Sequence, residues 1–105
     1  MAERTRLREP EARILALRIA ASYPNHQTST TNIKAAVPKL VELTDIDKQP
    51  SPTRKHEHKW EQIVGNVVSH QKTSTSIFNK GYAVRTEDGI RVTEKGLDYL
   101  KKKGF

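Results

Sequence analysis

The chain has 105 residues, room for one domain with a small core, and at 34% hydrophobic content its few large apolar side chains must nearly all be buried. Nineteen Lys and Arg against twelve Asp and Glu give a formal net charge of +7, a balance that favours polyanionic partners, nucleic acid first. The absence of Cys excludes a disulfide framework, a thiolate metal site and a thiol nucleophile, while no apolar run is long enough for a signal peptide or a membrane span, so no membrane association and a cytoplasmic location are expected.

Residues 1–8 form a basic arm with Arg4, Arg6 and Arg8, either a phosphate contact or a solvated terminus. A first helix is expected from Glu9 or Pro10 to about Ser22, because Pro suits the first helical position and Tyr23-Pro24-Asn25 ends the pattern. Ile14, Leu15, Leu17 and Ile19 give it dense apolar coverage, so it is the expected back wall of the core. The polar stretch 26–29 has room for an isolated strand, and Thr30 or Thr31 then reads as the cap of a second helix. Ile33, Val37, Leu40 and Val41 keep helical spacing there, but Pro38 interrupts it, which predicts a kink or two short helices in tandem. Residues 45–54, DIDKQPSPTR, carry two prolines and almost nothing apolar, and are expected to be a loop.

The stretch 55–71, KHEHKWEQIVGNVVSHQ, separates into two helical faces. At about 100° per residue, Trp60, Ile63, Val64, Val67 and Val68 share one arc, and Lys55, His58, Lys59, Gln62, Gly65, Asn66 and Ser69 fall opposite. The outward face combines ammonium, amide and hydroxyl groups, which suit phosphate oxygens and base edges; its plainer reading is a solvated surface. Its start is expected near Arg54, or earlier if Ser51-Pro52 caps it, and small polar residues after Lys72 end it.

Ile77 and Phe78 return to the core, and residues 82–92 read as a hairpin. Keeping apolar residues on one face favours a three-residue loop, Glu87-Asp88-Gly89, with Gly89 left-handed, Val84 opposite Val92 and Thr86 opposite Ile90. Arg85 and Arg91 would then face each other away from the core, a repulsive pair unless an anion or nearby carboxylates compensate. A closing helix capped by Thr93 follows, with Glu94 in its first turn, Lys101, Lys102 and Lys103 in its last, and Leu97 and Leu100 inward.

Three helices, a hairpin and a closing helix give an expected α+β fold, a winged helix-turn-helix with a three-helix core and a two- to three-stranded wing. The runs WEQIVGNVVSHQ and SIFNKGYAVRTEDGIRVTEKGLDYL resemble the winged-helix module at the N-terminus of Mrr-type and related restriction endonucleases, including the closing Thr93, Glu94, Gly96 and Leu97. That resemblance implies a DNA-targeting module joined to a separate nuclease domain, and in some relatives a reader of modified bases. By position it assigns base reading to Lys59, Gln62, Asn66 and Ser69, and the wing to Arg85 and Arg91. Lys55, His58, His70, Lys72 and Arg54 are the further candidates for the DNA backbone or minor groove. The partner expected is double-stranded DNA.

Catalysis is not expected from the chain itself. Glu57 and Lys59, with Asp45 or Asp47 upstream, have the letters of a metal-dependent nuclease, but on a helix residues two apart diverge by about 200°. His56 and His58 diverge likewise, with no third ligand to complete a zinc set, so neither metal nor cofactor is expected. A free-standing transcriptional regulator and a winged helix used for protein contacts remain as alternative functions.

Overall fold

Helix α1 spans Glu9–Ala21 in the computed structural model, which describes residues 7–52, 56–69 and 74–105. Pro10 lies in its first turn, where the missing N–H forfeits no intrahelical bond. The elements after it are a 3-10 turn (Pro24–His26), β1 (Gln27–Ser29), α2 (Thr30–Leu40), α3 (Lys59–Ser69), β2 (Ala83–Arg85), β3 (Gly89–Val92) and α4 (Glu94–Lys102). Among the described residues the architecture is α+β, four α-helices with a three-stranded antiparallel sheet in the order β1-β3-β2. Buried Ala12, Leu15, Ala16, Leu17, Ile19 and Ala20 cover more than one side of α1, which lets it touch α2, α3, α4 and β3 at once. No helix among the described residues is long and apolar enough to cross a membrane.

Helix α2 is capped by Ser29, one residue before the expected Thr30, with its hydroxyl accepting from Asn32 N at 3.1 Å. Pro38 neither splits α2 nor starts a second helix. It sits in the last turn, where the lost donor leaves only one intrahelical carbonyl unserved, and Val41 N still donates to Val37 O at 3.1 Å.

The strand expected at 26–29 is present, but it is not isolated. Gln27, Thr28 and Ser29 pair with Arg91, Ile90 and Gly89 of β3. That third strand changes the hairpin. The β2–β3 register is Ala83 with Val92, Val84 with Arg91 and Arg85 with Ile90, one residue away from the expected pairing. The loop is the two-residue Glu87-Asp88, closed by Thr86 N on Gly89 O at 3.0 Å and Gly89 N on Thr86 Oγ1 at 3.0 Å. Ala83 turns inward with Ile90 and Val92, at 2% exposure, while Val84 is 39% exposed. Gly89 lies within β3 and has no positive φ, unlike the left-handed turn residue expected. A Cβ there would lie 1.9 Å from Thr28 O, so glycine is required by the close approach of β1.

Helix α4 begins where expected. Thr93 Oγ1 accepts from Gly96 N at 3.1 Å and donates to Gly81 O at 2.6 Å. Gly96 packs on the backbone, since a Cβ would meet Tyr82 O at 2.1 Å, and the Thr-x-x-Gly spacing therefore combines a cap with a close contact.

Candidate nucleic-acid interface

The first turn of α3 is built by the loop before it. Lys59 N donates to Gln49 O at 2.8 Å and Trp60 N to Asp47 O at 3.2 Å, so the loop's carbonyls take amide groups that a helix start leaves without partners. Glu61 reaches back, its Oε1 accepting from His58 N at 3.1 Å, the second half of a capping box. Ser51 N donates to Glu57 O at 2.8 Å, and Pro50 bridges His58 antiparallel. These bonds start the helix at Lys59, several residues later than the periodicity alone suggests.

Asp47 is the centre of that loop and is only 1% exposed. Its Oδ1 accepts from Leu7 N at 2.6 Å and its Oδ2 from Thr44 N at 3.0 Å, while Thr44 Oγ1 accepts from Asp47 N at 3.2 Å. A carboxylate buried this deeply is tolerable because backbone donors converge on it. It ties fully buried Leu7, at the entry to α1, to the segment that caps α3. Lys34 Nζ of α2 adds a second tie, 3.2 Å from Glu57 Oε1. Glu57 thus precedes α3 and is engaged by α2. Among the described residues no cluster of three or more His, Asp or Glu is arranged to hold a metal.

On α3 itself Trp60, Val64, Val67 and Val68 are buried and Ile63 is half-buried against the same core. Gly65, expected outward, is buried. Lys59, Gln62 and Asn66 are half-buried and Ser69 is exposed; their spacing makes one stripe about 15 Å long on the side away from the core. The loop holds the first two. Lys59 Nζ donates to Gln49 Oε1 at 3.0 Å, and the Gln62 amide oxygen accepts from buried Ser51 Oγ at 2.5 Å. Both side chains are thereby restricted to fewer rotamers. His58 is exposed beside the start of the stripe. Arg54, Lys55, His70 and Lys72 lie outside the described residues, as do Arg4 and Arg6.

Arg85 and Arg91 are both exposed, but they are not cross-strand neighbours. Arg91 projects from the middle strand on the outer face, between Val84 of β2 and Gln27 of β1. Arg85, opposite Ile90, belongs to the other face and its guanidinium donates to Gly89 O of its own turn. The repulsion expected from a facing pair is therefore absent, and with it the need for an anion between them. The hairpin tip is anchored instead to α2, through Thr30 N on Asp88 O at 2.8 Å.

Sequence reasoning did not single out Gln49, considered Ser51 only as a cap for an early start of the helix, which instead begins at Lys59, and considered Asp47 only as an upstream acid. The Thr44-x-x-Asp47 spacing was the available signal, since a hydroxyl and a carboxylate three residues apart can exchange bonds with each other's amides. Compared with known protein families, with curated proteins and with solved structures, the chain matches none.

Proposed function

We propose that this chain is a winged helix-turn-helix domain that binds double-stranded DNA sequence-specifically, with α3 in the major groove and the β2–β3 hairpin as wing. The observation that carries the reading is the stripe of Lys59, Gln62, Asn66 and Ser69, whose first two members are held by Gln49 and Ser51. Amides are suited to adenine edges, an ammonium to guanine or phosphate, and a hydroxyl to either. The formal charge of +7 supports a polyanionic partner. In this reading the domain is cytoplasmic and non-catalytic and targets a nuclease domain of a restriction endonuclease; that last role, and any reading of modified bases, follow from the family resemblance alone.

Selection from randomised duplexes, methylated and unmethylated at adenine and at cytosine, tests the reading at one fixed salt concentration near physiological. Enrichment of a sequence or of a modified base is the expected outcome. Uniform binding that disappears with added salt would reduce the domain to a nonspecific polycation binder. A second reading, a winged helix used for protein contacts, is favoured by one observation: a groove of about 760 Å³ between α1 and α4, where Phe105 is 56% exposed. No binding to any duplex would favour it.

A further inference from the structure

On α1, away from the α3 stripe, a cavity of about 200 Å³ lies between that helix, the chain following α3 and α4. Arg13, Lys80 and Lys103 line it together with Tyr82, Tyr99 and Thr75, and among the described residues no acidic side chain does. Its floor includes Leu17 and Ile77, both buried, so charges at the opening act over a medium of low polarity. The tyrosines are stacked, with ring centroids 4.2 Å apart and planes 14° from parallel. Lys103 Nζ stands 5.7 Å from the Tyr99 centroid, and Lys95 Nζ stands 5.9 Å from that of Tyr82 on the neighbouring ring. Complementing the dipole of α4 accounts for Lys101 and Lys102 in its last turn. It does not account for Lys80, which comes from a different segment and converges on the same opening as Lys103.

Arg13 pairs with Glu9 Oε1 at 3.2 Å, a single carboxylate against three cations among the described residues. From this we infer that the cavity of about 200 Å³ between α1, the chain following α3 and α4 is a phosphate-binding site, with Arg13, Lys80 and Lys103 as charge partners and Thr75 and the tyrosines as hydroxyl donors. A multiply charged oxyanion matches both the charge and the donor set. The volume is below that of sites for drug-sized ligands and suits a phosphate group. The site is independent of the base-reading role proposed for α3.

The test is an NMR titration of the full chain with inorganic phosphate, against chloride at matched ionic strength. Saturable shifts of the Tyr82, Tyr99, Thr75 and Ile77 signals are expected, weakened roughly tenfold by the double variant Lys80→Gln, Lys103→Gln. Both lysines are exposed, so the variant retains the core, which its unfolding midpoint checks. Shifts equal to those with chloride, or an affinity the double variant leaves unchanged, would overturn the proposal. Duplex binding by the same variant identifies the source of the phosphate. A DNA backbone phosphate lowers the salt slope by about two with sequence preference retained, whereas a small phosphate ester leaves duplex binding unchanged; either supports the site when the phosphate shifts saturate. Gln62→Ala leaves the phosphate titration intact, so failure of this site and failure of the DNA reading are separable.

Discussion

In α3 the outward side chains are held by residues outside the helix, whereas in the β2–β3 hairpin they are held by the sheet itself. Lys59 and Gln62 point where the helical period sends them, and Gln49 and Ser51 then fix their ends. Arg85 and Arg91 point where the strand register sends them, and that register follows from β1 closing on Gly89. Helix faces are a property of a segment, and strand faces are a property of an assembly. The stripe and the hairpin should therefore break in different ways.

The largest effect is expected at Gly89, where the added Cβ of Gly89→Ala would collide with the backbone of Thr28. Urea unfolding should show a loss of about 3 kcal/mol or more, because the strands must separate or shift. A loss under about 1 kcal/mol would mean that the sheet relaxes easily and that this contact does not set the register. Next comes Asp47→Ala, which removes the carboxylate that Leu7 and Thr44 amides donate to. About 2–3 kcal/mol of stability should go, together with hydrogen-exchange protection at Lys59 and Trp60, the amides its loop holds. Unchanged protection would sever the proposed link between the loop and the start of α3.

Smaller effects separate the binding roles. Ser51→Ala frees the Gln62 amide and should weaken the preferred duplex by about 1 kcal/mol, measured calorimetrically, while nonspecific duplexes change little. Equal weakening of all duplexes would deny Ser51 a positioning role. Arg91→Gln should lower the salt slope by about one on every sequence, whereas Arg85→Gln, whose guanidinium lies on its own turn, should leave the slope nearly unchanged. The reverse order would place the edge strand, not the middle strand, against the DNA backbone.

What the sequence disclosed follows the same division. The buried arc of α3, the extent of α1 and the Thr93 cap rest on local spacing, and they are legible residue by residue. The hairpin register was not, because Val84 and Ala83 are both acceptable inward residues until β1 is known to pair on the far side of β3. The burial of Asp47 was hidden for a related reason. A polar, proline-containing stretch looks solvated unless its carboxylate is known to meet the amide of Leu7, forty residues away in sequence. Pro38 misled in the other direction, since a proline in the last turn of a helix interrupts little.

The most direct measurement compares duplex selection by the wild-type chain with selection by Gln62→Ala, Asn66→Ala and Arg91→Gln at a single salt concentration. Sequence preference should flatten in the two α3 variants, by about 1–3 kcal/mol at the affected base pair, and persist with uniformly lower affinity in Arg91→Gln. If the α3 variants instead lost affinity equally for every sequence, the stripe on α3 would be a phosphate contact and base reading by this helix would be contradicted.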